Sequence, residues 1–188
     1  MVLKIFKENL LNPAYGLPER PAVFFDFHIG DVHFILLDGR TYREDAGRFS
    51  RGDRIQGASM LGPHQLRWLK ETLANSNATF TVLVSPVPWN FTAKGSGIPS
   101  RDTWAGYKEE REEIFSWREQ HRIEGVVLLS ADRHRSEAWL IERPNGYDLY
   151  EFASSQLTNQ HTHGKVKGSL FSYNGKNSFG LLRFVCAE

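Results

Sequence analysis

Apolar runs and amphipathic stretches divide this chain into a regular succession of strands and helices. Apolar runs bounded by polar residues predict buried strands at 79–85 and 126–130, the latter buried on both faces. Apolar positions at helical spacing predict helices over 63–74 and from 107 to about 120. The order strand, helix, strand across 79–130 is a βαβ unit, so these two strands should be parallel and adjacent or nearly so.

Antiparallel hairpins are predicted on either side of this unit. The first joins strands at 23–27 and 32–37 through a Gly-Asp turn, and the second joins 136–141 to 147–152 through a Pro-Asn-Gly turn. A further strand is predicted at 179–185. The pattern as a whole favours one α/β domain with a mixed sheet.

Two chemically capable residues stand just after the apolar run 126–130. Asp132 and His134 are two positions apart, and an extended backbone would direct both side chains to the same side. Open parallel sheets bind ligands just beyond the carboxyl ends of their strands. A carboxylate beside an imidazole suits a metal site or an acid/base pair, but a solvated charged turn has the same spacing. Spacing alone leaves these interpretations open.

Arg40 follows the strand 32–37 in the same way. Its guanidinium can clamp an oxyanion through a hydrogen-bonded fork. Alternatively, it can pair with Asp38 or Glu44 in a structural turn. The acidic run 109–113 stands early in a predicted helix, where the helix dipole favours it, and predicts a solvated face.

A second candidate metal pair occurs in the polar, glycine-rich stretch 160–178. His161 and His163 could bind a metal together with Asp132 or His134. Exposed histidines in an ordinary loop would give the same pattern.

The totals exclude several classes of protein. The 188 residues suit one domain, and a formal charge of +1 predicts no nucleic-acid partner. No apolar run approaches the length that spans a membrane. The single cysteine, Cys186, excludes an internal disulfide and leaves the compartment open.

Five short motifs, each weak alone, follow one another along the chain. They are Gly-Asp-Val-His-Phe-Ile-Leu-Leu-Asp-Gly-Arg at 30–40, Leu-Gly-Pro-His-Gln-Leu-Arg-Trp-Leu at 61–69, Asp-Thr-Trp-Ala-Gly-Tyr at 102–107, Leu-Leu-Ser-Ala-Asp-Arg-His at 128–134 and Glu-Phe-Ala-Ser-Ser-Gln-Leu-Thr at 151–158. In this order they resemble the carboxyl-terminal half of the PhoD-like alkaline phosphatases, within the calcineurin-like metallophosphoesterases.

The resemblance implies a four-layer α/β/β/α sandwich of mixed sheets with a metal centre between the sheets. It implies hydrolysis of phosphate esters by a metal-activated water. The implied metals are iron with calcium, or other divalent ions such as manganese or zinc. Asp132 and His134 fall on the metal-binding block, and Arg40 falls near the substrate phosphate.

The chain also departs from the family pattern. Asp132 stands where the related block has histidine, Ala131 replaces a glycine, and the turn 85–88 has no histidine. The upstream metal blocks are not found in residues 1–22. Residues 1–188 are therefore expected to form a single incomplete metallophosphatase domain, truncated and weakly active or inactive. The alternative is a non-catalytic remnant or interaction module, with self-association through an exposed sheet edge.

Overall fold

The computed structural model describes residues 2–46, 56–90, 102–155, 157–158, 164 and 166–186, and the structural statements below concern these residues. The helices are α1 (Val2–Asn9), α2 (Gly62–Asn75) and α3 (Lys108–Gln120). The strands are β1 (Gly16–Leu17), β2 (Arg20–Pro21), β3 (Phe25–Ile29), β4 (Val32–Leu36), β5 (Phe80–Val84), β6 (Val126–Ser130), β7 (Ser136–Ile141), β8 (Leu149–Ser154) and β9 (Phe171–Tyr173).

Seven strands form one mixed sheet in the order β3-β4-β5-β6-β8-β7-β9, and β1 and β2 form a separate ribbon. Strands β4, β5, β6 and β8 run parallel, whereas β3 pairs with β4 and β7 pairs with β8 in antiparallel fashion. Both predicted hairpins and the parallel βαβ unit are therefore confirmed. The described residues show an α/β fold with a mixed sheet, but they do not show the four layers that the resemblance implies.

Helices α2 and α3 cover one face of this sheet. Ile35, Leu83 and Leu128 stand side by side on β4, β5 and β6 and point into this core. The helices contribute Leu69, Leu73, Ile114 and Phe115 to the same cluster. Helix α2 begins where the pattern predicted, because Gly62 takes a φ of 73° and Pro63 suits a first helical turn.

The opposite face is crossed by the segment 179–186, which forms no strand with any described residue. Phe184 packs on it, with ring centroids 5.3 Å from Phe80 and 6.4 Å from Phe34. The prediction of a closing strand at 179–185 is thus wrong, and the last strand is β9. Phe179 and Leu181 remain 80% and 87% exposed, so this segment covers the face only partly.

Two further sequence predictions are corrected. Strand β6 is not buried on both faces, because Val127 and Leu129 are only half-buried. Glu110 does not belong to a solvated face: it is buried and accepts hydrogen bonds from the backbone N–H groups of Met60 and Leu61. Burial raises the pKa of Glu110, and these hydrogen bonds oppose that effect. None of the described helices is long and apolar enough to cross a membrane.

Candidate active site

Three parallel strands end at one edge of the sheet, and polar or charged residues follow each of them. Asp38 and Arg40 come after β4, Ser85 after β5, and Asp132 and His134 after β6. Because the strands are adjacent and parallel, these groups collect at the edge where α/β sheets bind ligands.

Asp38 fixes the turn that carries Arg40. It is 3% exposed, and its Oδ1 accepts hydrogen bonds from the backbone N–H groups of Arg40 at 2.9 Å and Thr41 at 3.0 Å. Its Oδ2 accepts one from the Val23 N–H at 3.0 Å. The Gln65 amide bonds both the N–H and the carbonyl of Asp38 at 2.8 Å. The backbone position of Arg40 is therefore set by the fold.

The Arg40 side chain remains accessible. It is 58% exposed, and its Nη1 lies 3.4 Å from Asp102 Oδ1, which also lies 3.3 Å from Arg43 Nη1. The sequence suggested Asp38 or Glu44 as the ion-pair partner of Arg40. Among these hydrogen bonds, Asp38 contacts only the backbone of Arg40, and the ion-pair partner of the side chain is Asp102. Exposed ion pairs contribute roughly 0–1 kcal/mol, so an incoming oxyanion can displace this one at little cost. A cavity of about 490 Å³ opens beside Arg40 and Pro86.

Asp132 and His134 lie on a strained turn after β6. Their φ angles are 74° and 49°, so the backbone is not extended here and the condition for both side chains to point to the same side is not met. Non-glycine residues in this region cost roughly 1–3 kcal/mol and cluster at functional sites. The turn is held by the Arg133 N–H, which donates to the Ala131 carbonyl at 3.0 Å, and by the His134 N–H, which donates to Ser155 Oγ at 3.3 Å. Asp132 is exposed and His134 is half-buried.

The structure brings these residues to one edge of the sheet, where two cavities open. The cavity beside Arg40 and a second one of about 660 Å³, lined by Ser130 and Ala131, share Pro86. Among the described residues, neither Asp132 nor His134 belongs to a group of three histidine, cysteine or carboxylate side chains close enough to hold a metal. His161 and His163 lie outside the described residues.

Glu151 is a residue of this edge that the sequence did not reveal. It is fully buried on β8 and accepts hydrogen bonds from the backbone N–H groups of Trp89 at 2.9 Å and Asn90 at 2.8 Å, and from the Ser130 hydroxyl. It therefore ties the turn after β5 to the end of β6. Burial raises the pKa of Glu151, and the same hydrogen bonds and the charge of Arg111 oppose that rise.

A different group of potential metal ligands was also missed. Asp26, His28 and His33 each present a ligand atom, and these atoms lie within 4.8 Å of one another on the hairpin β3–β4. The alternation of the two strands was a usable signal, because a short turn places Asp26, His28 and His33 on one face.

Comparison with known proteins defines the family. A family model described as PhoD-like phosphatase matches residues 11–179. The chain belongs to the PhoD-like phosphatase family. This match confirms the resemblance to the PhoD-like phosphatases.

A relative is similar to this chain in sequence, and a solved structure is similar to it in fold. Alkaline phosphatase D of Bacillus subtilis (strain 168) is 33% identical over an alignment of 135 residues, which covers 65% of this chain and 23% of that protein. A solved structure of PhoD superposes with a TM-score of 0.71 at 22% identity, over 93% of this chain and 39% of that one. The chain spans less than half the length of these relatives.

Proposed function

We propose that the chain carries part of the active site of a metal-dependent phosphoesterase, similar to alkaline phosphatase, that hydrolyses phosphate esters with a metal-activated water. The observation that carries the proposal is the strained turn of Asp132 and His134 at the carboxyl edge of the sheet, within the family match over 11–179. Strain of this kind is retained where a side chain must be presented in a fixed direction.

The types of side chain at this turn suit the proposed metals. A carboxylate suits calcium or manganese and an imidazole suits iron or zinc, so His134 would bind a metal and Asp132 would bind a metal or orient its water. A bound metal would polarise the phosphate oxygens and lower the pKa of its water. In this proposal Arg40 releases Asp102 and binds the phosphoryl oxygens through its forked N–H groups, while Asp38 keeps its turn in place.

Two protein ligands leave most coordination positions of a metal to water, so metal affinity should be low. We therefore propose that residues 1–188 form one incomplete metallophosphatase domain whose own turnover is slow or absent. We further propose that the face crossed by 179–186 packs against the second sheet of a four-layer sandwich. Its partly exposed apolar residues and its cavity of about 660 Å³ support this.

The same face supports a second candidate function, a non-catalytic interaction module. Phe179, Leu181 and Val185 are 80%, 87% and 72% exposed, and exposed apolar patches often mark interfaces. Measurable metal-dependent hydrolysis would favour the phosphoesterase, whereas tight protein association without hydrolysis would favour the module.

The direct test is hydrolysis of p-nitrophenyl phosphate with added calcium, iron, manganese or zinc. We expect slow turnover that depends on metal, that falls at least about tenfold in His134→Ala, and that stays unchanged in His121→Ala, an exposed histidine of another region. Arg40→Gln should raise KM because it removes a phosphate contact. Fast turnover would contradict the incomplete centre, and slow turnover indifferent to His134→Ala would contradict the site assignment.

A further inference from the structure

The hairpin β3–β4 carries a cluster of ligating side chains far from the edge described above. His33 stands near the start of β4, five residues before Asp38, which at roughly 3.3 Å per residue is about 16 Å away along the strand. The cluster therefore lies at the opposite end of β4 from Arg40 and cannot share a metal with His134.

The strand register explains why these side chains meet. His28 and His33 are directly opposite each other, and Asp26 is two positions from His28 on β3. Side chains two apart on a strand share a face, so all three point toward the side that α2 covers. Asp26 Oδ2 lies 3.0 Å from His33 Nε2.

The His33 ring is already held in one orientation. It is buried, and its Nδ1 lies 2.9 Å from Ser76 Oγ, just after α2. Ser76 Oγ lies 3.3 Å from Thr81 Oγ1 on β5. In the metal-free form Nε2–H can donate to Asp26 Oδ2, 3.0 Å away. A metal would replace this hydrogen bond, with the ring proton moving to Nδ1, where Nδ1–H donates to Ser76 and the Ser76 hydroxyl donates to Thr81. Such an outer hydrogen bond is what fixes the tautomer of metal-binding histidines.

We propose that Asp26, His28 and His33 form a site for a divalent transition metal such as zinc or cobalt. Two imidazoles and one carboxylate match the preference of these ions, and water completes a four-coordinate site. Ligand atoms of a tetrahedral zinc lie about 3.3 Å apart, and the three here lie within 4.8 Å.

One movement completes the geometry. The His28 ring stacks on His33 at a centroid distance of 3.9 Å and an angle of 14°, and stacked rings do not direct their lone pairs at one point. His28 is exposed, so its ring turns without disturbing the core, while His33 stays fixed. The bound metal would join the edge strand β3 to β4 and, through Ser76, to the end of α2. The role of the metal would be to stabilise the hairpin. This proposal does not depend on the proposed function.

The test uses the untagged full-length chain with Asp132, His134, His161 and His163 replaced by alanine, so that other candidate ligands do not contribute. Cobalt is titrated while its visible absorption is followed, zinc competition gives the zinc affinity, and thermal unfolding is recorded with and without zinc. The decisive variant is His28→Gln, because His28 is exposed and its replacement leaves the core intact. The matched control is His121→Gln, also exposed.

We expect one cobalt per chain with the intense absorption of a four-coordinate site, and a zinc-induced rise in Tm of several degrees. His28→Gln and Asp26→Asn should weaken zinc binding at least about tenfold, whereas His121→Gln should leave it unchanged. Unchanged affinity in His28→Gln would overturn the proposal. So would the failure of the folded parent chain to bind cobalt.

Discussion

Asp38→Asn tests whether Asp38 holds the turn that carries Arg40, because it replaces one carboxylate oxygen by an amide nitrogen. The Asp38 carboxylate accepts three backbone N–H groups and the Thr41 hydroxyl. An asparagine oxygen at the Oδ1 position keeps the bonds from Arg40 and Thr41. Its amide group then faces the Val23 N–H, which is a donor facing a donor. The Thr41 hydroxyl can turn and accept, but the Val23 N–H loses its partner.

A buried donor left without an acceptor costs about 1–3 kcal/mol, and the hydrogen bond of the Val23 N–H is part-buried. For a chain of 188 residues, each kcal/mol lowers Tm by about 2–4 °C, so a loss of about 2 kcal/mol lowers it by about 4–8 °C. Urea unfolding followed by tryptophan fluorescence measures the free energy directly. The control is Glu142→Gln, the same change of charge at an exposed residue, which should stay within about 0.5 kcal/mol. Equal stabilities of the two variants would refute the role of Asp38.

Three further predictions concern the rest of the fold. Because the pKa of Glu151 is raised from 4.5, the folded chain binds this proton more tightly than the unfolded chain. The free energy of unfolding of the native protein minus that of Glu151→Gln should thus be greatest below pH 4.5 and should fall as the pH rises through the folded pKa. An increase of this free-energy difference with pH would contradict the raised pKa. Gly125→Ala should lower the free energy of unfolding by more than about 2 kcal/mol, since a Cβ there would lie 2.1 Å from the Thr79 carbonyl oxygen. Gly30→Ala, which meets nothing within 4 Å, should cost about 1 kcal/mol, and equal losses in urea unfolding would refute the steric argument. Self-association through the edge strands β3 and β9 should give sedimentation coefficients that rise with protein concentration, and a single monomeric species at high concentration would exclude it.

The sequence predicted those parts of the fold that depend on local periodicity. The βαβ unit and both hairpins follow from apolar spacing and turn residues, and the observed bounds differ by only a few positions. The strand at 179–185 failed because an apolar stretch can also lie across a sheet face without pairing. The ring of Phe184 packs on those of Phe34 and Phe80, and no local sequence pattern distinguishes this arrangement from a strand.

The candidate site was predictable in position but not in geometry. The carboxyl ends of parallel strands indicated Arg40, Asp132 and His134. The positive φ angles of Asp132 and His134 depend on how the chain turns from β6 into β7. The spacing of residues in the sequence does not predict that turn. The role of Glu151 was missed for a different reason, because two of its partners are backbone N–H groups more than sixty residues away along the chain.

The most direct test of the account is whether the metal content of the chain depends on His134. The parent carries His28→Gln, so that the hairpin cluster does not contribute, and is equilibrated with iron and calcium before the retained metal is measured by elemental analysis. We predict weak retention that falls at least about tenfold when His134→Ala is added and is unchanged when His121→Ala is added. Retention that is the same with and without His134 would contradict the assignment of this strained turn to the metal centre of a phosphatase.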